Sequence, residues 1–97
     1  MSTLDRVLGA LARLQPELRS RHVRRIGVFD SVARGADRAD SDIDFLVDLT
    51  DEGDLFDVAG IKRLLEQELG REVDVVPIGG LKDDVREAIL REVRYAA

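Results

Sequence analysis

Apolar residues recur at Leu4, Val7, Leu8, Leu11, Leu14 and Leu18, three or four apart, which is the stripe of an amphipathic helix. Ser2 or Thr3 is available to cap its start, because a side-chain oxygen there accepts one of the orphan N–H groups of the first turn. Pro16 lacks an N–H and is expected to kink or end this helix. The pattern then changes. Ile26-Gly27-Val28-Phe29 reads as a short strand, Ser31 to Gly35 as a turn opening a brief helix, and Ala36 to Ser41 as a polar loop. In the next run Ile43, Phe45, Val47 and Leu49 alternate with Asp44, Leu46 and Asp48. This two-residue repeat predicts a strand with one deeply buried face.

Thr50-Asp51-Glu52-Gly53-Asp54 is an acidic loop placed to cap a second helix, whose stripe is Leu55, Val58, Ile61, Leu65 and Leu69. Gly70 stands where helices commonly end in the left-handed conformation. A third strand is predicted from Glu72 to Pro77. Gly79-Gly80 then breaks the chain, and Leu81, Val85, Ala88, Ile89 and Val93 mark a final helix. The order α-β-(short α)-β-α-β-α predicts an α/β (α+β) layer structure, helices packed on a small sheet.

The chain has 97 residues, enough for one core, and is expected to form a single domain over 1–97. Its 44% hydrophobic and 36% charged residues fit a soluble globular protein and exclude a disordered one. With no cysteine, disulfides and thiolate zinc sites are excluded, which suits a reducing cytoplasm. Met1-Ser2-Thr3-Leu4-Asp5 lacks the basic flank and apolar core of a signal peptide. No apolar run approaches the roughly 20 residues of a membrane helix, so the expectation is a cytoplasmic protein off the membrane. A net charge of −5 argues against long nucleic acid as a partner. Arg13, Arg19, Arg21, Arg24 and Arg25, opposed only by Glu17, form a local basic cluster. It fits either a solvated helix end or a surface for phosphate or an acidic partner.

The candidate chemistry lies between residues 29 and 47. Asp42 and Asp44 open the second predicted strand two positions apart, and so point to one face. Asp74 heads the third, in Val73-Asp74-Val75-Val76. Three carboxylates crowded in a partly buried site oppose one another's ionisation, and that cost predicts a cation among them. Mg²⁺ takes oxygen ligands and keeps water and substrate phosphate in its shell. Asp42 and Asp44 are placed to bridge such ions, and Asp74 to complete the one nearest an attacking hydroxyl and help take its proton. Upstream, Ser31, Arg34 and Gly35 form a turn suited to a triphosphate: a hydroxyl donor, a cation and a residue that lets the chain reverse. Alone, Ser31 also reads as a helix N-cap and Arg34 as a surface partner of Asp37. His22, the only histidine, reads as a surface residue, and Tyr95 as core packing, an exposed end or a partner contact.

These residues resemble the minimal nucleotidyltransferases of the DNA polymerase beta superfamily, whose signature is Gly-Ser, a spacer, Asp-x-Asp and a third Asp on a later strand. Here Ser31 is followed by ten residues and then Asp42-Ile43-Asp44, and Asp74 supplies the third position. Arg34-Gly35, Ser41-Asp42, the helix from Asp54 to Gly70, the Gly70-Arg71-Glu72-Val73-Asp74 junction and Ile89-Leu90-Arg91-Glu92 extend the likeness along essentially the whole chain. The resemblance implies a small mixed sheet flanked by helices. It also implies an antitoxin that transfers AMP from ATP, with Mg²⁺ or Mn²⁺, onto a tyrosine of a partner HEPN toxin. Asp42, Asp44 and Asp74 would be its metal-binding and catalytic residues, with Ser31, Arg34 and Gly35 at the triphosphate. One position departs: the glycine before the serine is Asp30, which adds a side chain and a negative charge. That departure opens a second expectation, a degenerate domain that neutralises its partner by occlusion. A third is a transferase for a small molecule or an RNA end, although no second substrate-holding domain is recognisable.

Overall fold

The computed structural model describes residues 1–96. Its first helix, α1 (Thr3–Arg13), starts at Ser2, whose hydroxyl accepts from the Asp5 N–H at 3.0 Å. The apolar stripe from Leu4 to Leu18 is divided at Leu14, the break expected of Pro16, and α2 (Gln15–Ser20) follows. Pro16 is the reason: it has no N–H for the Ala12 carbonyl, and it sits instead in the first turn of α2, where a missing donor costs nothing.

Next comes β1 (Val23–Phe29), which begins three residues before the apolar run that predicted it. Arg24 and Arg25 obscure its period because the register with the following strand shifts between Val23 and Arg25. The remaining elements are β2 (Ile43–Leu49), α3 (Leu55–Leu69), β3 (Val73–Pro77), a 3-10 turn at Ile78–Gly80, α4 (Asp83–Glu92) and β4 (Arg94–Tyr95). Between Ser31 and Gly35 the chain makes a turn, and the brief helix expected there does not form. One hydrogen-bonded turn is closed at once by Gly35 in the left-handed conformation (φ 70°). The Ala36 N–H reaches the Ser31 carbonyl at 2.8 Å and the Gly35 N–H the Val32 carbonyl at 3.1 Å.

The sheet is mixed, in the order β3-β2-β1-β4. β1 is antiparallel to both neighbours, while β2 and β3 are parallel, joined by α3 as a crossover. Asp54 starts α3 with a reciprocal cap: its carboxylate takes the Asp57 N–H, and the Asp57 carboxylate takes the Asp54 N–H. Gly70 ends α3 at φ 65°. The core is built on Ile43, Phe45 and Val47 of β2, with Ile26, Val28 and Val73 beside them. Val7, Leu11 and Leu18 close it from α1 and α2, and Ile61 and Leu65 from α3. Thus the odd-numbered residues of β2 face the core, and Asp44 points the other way.

The C-terminus differs most from its sequence pattern. α4 starts at Asp83, leaving Leu81 outside, and none of its residues is fully buried. Beyond it the two-residue β4, which the pattern does not predict, adds an edge to the sheet. Tyr95 therefore serves as a strand residue opposite Gly27, half-buried, with the Arg25 guanidinium 4.0 Å from the centre of its ring. His22, at the end of the β1–β2 pair remote from Asp44, has its Nδ1 2.9 Å from an Asp57 carboxylate oxygen. That hydrogen bond raises the histidine pKa and lowers the aspartate's. Among the described residues no helix is long and apolar enough to cross a membrane.

Gly27 is what lets β4 dock. A Cβ there would stand 2.8 Å from the Arg94 carbonyl oxygen and 2.9 Å from the Tyr95 ring. We expect Gly27→Val to expel β4 at a cost of about 1–3 kcal/mol. The Ala96 N–H, which bonds the Ile26 carbonyl at 3.2 Å, would then lose its protection in amide hydrogen exchange. Retained protection at Ala96 would contradict this.

Candidate active site

Asp44 occupies the centre of the acidic face. Its neighbours Ile43 and Phe45 are buried in the core, so strand alternation turns its carboxylate outward. On one side its register partner is Asp74, across the parallel β2–β3 pair, at the roughly 4.8 Å that separates adjacent strands. On the other side it lies opposite Phe29, the residue before Asp30. Asp42 is exposed and precedes β2 by one residue.

Electrostatics register the crowding. The Asp44 carboxyl is pushed up to about 6, first because it is partly buried, then because Asp30, Asp74 and Asp42 oppose its charge. Four carboxylates thus share one field, and the fourth, Asp30, stands out in the sequence only as a departure from a family glycine. The backbone explains the glycine: Asp30 has φ 64°, in the left-handed region. Aspartate is among the few residues with side chains that take that conformation readily.

Asp30 and Arg34 belong to one cluster. The Arg34 Nη2 donates to Asp30 Oδ1 at 2.8 Å and its Nη1 to Glu92 Oε2 at 3.0 Å. The other oxygen of Glu92 accepts the Asp30 N–H at 2.9 Å. Arg34 therefore braces two acids and does not pair with Asp37, whose cation is Arg71 at 3.3 Å. Glu92, from α4, carries no local signal in the sequence; only its place in the family-like C-terminal segment hints at it. Ser31 is not a helix cap, since no helix follows it, and it lies half-buried next to Val32, which anchors the turn in the core. Gly35 supplies the reversal.

Among the described residues, no three His, Cys, Asp or Glu side chains are gathered as a ready-made metal cage. The donor set nevertheless fits a hard cation. Mg²⁺ is commonly held by one or two carboxylates together with substrate phosphates, without an all-protein cage. An oxygen-only cluster in which one member resists ionisation has the chemistry that a divalent ion relieves. Asp42, Asp44 and Asp74 are the residues that would hold it.

The family described as "Nucleotidyltransferase domain" matches residues 5–96. "Protein adenylyltransferase MntA" of Thermococcus cleftensis is 41% identical over 96 residues, covering 98% of this chain and 97% of the relative. A solved structure described as a minimal nucleotidyltransferase superposes with a TM-score of 0.85 at 37% identity, over 97% of this chain and 95% of its own. A second is described as an MNT antitoxin in complex with a tri-AMPylated HEPN toxin of Shewanella oneidensis. It has a TM-score of 0.68 at 16% identity, covers 94% of this chain and 69% of its own, and shows the fold alone.

The strained carboxyl makes a signed prediction for metal-free protein. A native pKa raised from 3.8 to about 6 means the folded state holds its proton more tightly than the unfolded chain. Stability is then lost as pH rises from about 4 through about 6. Asp44→Asn removes that loss. In urea unfolding with chelator the variant is expected to be more stable than the parent at about pH 8, by about 1 kcal/mol after allowing for solvent screening of a partly exposed group. The gap is expected to close below about pH 4. A gap that does not change with pH would contradict the electrostatic account.

Proposed function

Because the chain belongs to the nucleotidyltransferase domain family, we propose that it is a metal-dependent adenylyltransferase that modifies a partner protein as an antitoxin. Nucleotidyl transfer follows from the family itself. The finer reading is AMP from ATP onto a tyrosine hydroxyl of a HEPN toxin in the cytoplasm; its adenylyl transfer to a protein is supported by the protein adenylyltransferase name of a relative 41% identical to this chain. The tri-AMPylated toxin in the structure of a shared fold adds to that support. The observation that carries the reading is the register of Asp44 with Asp74 on a face that also bears Asp30 and Asp42.

In this reading the turn from Ser31 to Gly35 receives the triphosphate tail, with the Ser31 hydroxyl as donor. The acceptor hydroxyl attacks the α-phosphorus. The new oxygen–phosphorus bond forms as the bond to the bridging oxygen breaks, and pyrophosphate leaves. Asp74 takes the hydroxyl proton, and Asp42 and Asp44 are the carboxylates that would hold the cation beside the reacting phosphate. A divalent cation bound there would neutralise charge on the phosphates and lower the pKa of the attacking hydroxyl.

A second reading rests on Asp30. Its carboxylate engages Arg34 and adds negative charge where a triphosphate would approach. A domain so altered would silence its partner by occlusion, without chemistry.

Incubation with Mg²⁺, α-labelled ATP and the protein encoded by the adjacent gene tests both. We expect label on the partner, lost by at least about a hundredfold in Asp42→Ala and Asp44→Ala. No label with the parent, and none with Asp30→Gly, would end the transferase reading. Label with Asp30→Gly alone would favour occlusion by the natural chain.

A further inference from the structure

Arg71 directly follows the glycine that ends α3 and precedes Asp74 by three residues. Its side chain reaches across to the loop that leads into β2. The Nη2 donates to the Ser41 carbonyl at 2.6 Å and to the Arg38 carbonyl at 2.8 Å, and the Nη1 stands 3.3 Å from Asp37 Oδ2. The guanidinium is largely withdrawn from solvent, 18% exposed, and its Nε is buried without a partner among the described residues. A solvated surface ion pair would leave no such donor unpaired; this arginine is committed to the loop carbonyls at a desolvation cost.

The bonds fall on either side of one site residue. Ser41, just before Asp42, is held by the Arg71 side chain, and Ile43, just after it, gives its N–H to the Glu72 carbonyl at 3.1 Å. Residues 71 and 72 open the segment that carries Asp74. Asp42 lies outside β2 and has no strand register of its own to fix it. We propose that Arg71 is a positioning residue that sets where Asp42 stands relative to Asp74, so that the two strands present one cation site. This deepens the proposed function, resting on Asp42 and Asp74 as its carboxylates. The planar fork matters here: a lysine ammonium has no rigid fork to span two carbonyls and a carboxylate.

The test uses the whole chain and Mn²⁺ as probe, followed by electron paramagnetic resonance, with amide hydrogen exchange on the metal-free protein. Arg71→Gln is expected to weaken Mn²⁺ binding about ten- to a hundredfold, the usual effect of losing a residue that orients a ligand. It should also speed exchange at the Ile43 N–H. Arg71→Lys should fall between it and the parent, and it decides the matter if Arg71→Gln does not fold. Asp37→Asn keeps both carbonyl bonds and should leave Mn²⁺ affinity nearly unchanged. Parental Mn²⁺ affinity in a folded Arg71 variant, an Asp37→Asn loss equal to that of Arg71→Gln, or no Mn²⁺ binding by the parent would each overturn the proposal. Labelled-ATP transfer, read in parallel, separates the two ideas. A parent that binds Mn²⁺ but transfers nothing, with Mn²⁺ binding weakened in Arg71→Gln, sinks the adenylyltransferase reading alone. Transfer by the parent with an unaffected Arg71 variant sinks this inference alone.

Discussion

The parallel pairing of β2 with β3 sets Asp44 opposite Asp74, and everything proposed for the acidic face depends on that register. Side chains alternate along a strand, so a slip of one residue would turn Asp74 into the core and bring Val73 or Val75 to the acidic face. Burial forbids the slip. Ile43 and Val73, paired with each other, are 1% and 2% exposed, and Phe45 is completely enclosed. The same apolar residues that drive folding thereby fix which carboxylates meet. Stability and chemistry pull in opposite directions at Asp44, where burial and three neighbouring acids oppose the charge that a cation site requires.

The turn before β2 shows how an altered signature is accommodated. A left-handed residue is needed at position 30, and aspartate can supply it where most side chains cannot. The added charge is then met by Arg34, itself shared with Glu92 of α4. The C-terminal helix, which buries no residue fully, is thus linked to the candidate phosphate turn through one carboxylate. Gly27 allows β4 to complete that side of the sheet.

Much of this is legible in the residues. The two strands bearing the acids, the capped helix between them and the turn at Gly35 follow from period, capping chemistry and glycine placement. The layer architecture follows from the order of elements, and the mixed sheet is what the family resemblance implies. What the sequence hides has identifiable causes. A bulge puts two arginines at the start of β1, so that its period is lost. β4 has two residues, too few for any repeat to appear. The site residues missed are those whose work lies in long-range hydrogen bonds. Glu92 meets Asp30 across 62 positions and Arg71 meets Ser41 across 30, separations that no local pattern encodes. Arg34 illustrates the same limit: an arginine's range of partners is readable in sequence, but its choice of Asp30 and Glu92 over Asp37 is made by the fold.

The central claim is that the acids at 42, 44 and 74 form one cation site. It is tested most directly by anomalous scattering from crystals grown with Mn²⁺ and a non-hydrolysable ATP analogue. The account predicts a manganese peak on the acidic face, within coordination distance of carboxylate oxygens from both Asp42 and Asp44, with the Asp74 carboxylate turned toward the same pocket. Nucleotide bound in clear density with manganese elsewhere, or with Asp74 turned away from the other two, would contradict it.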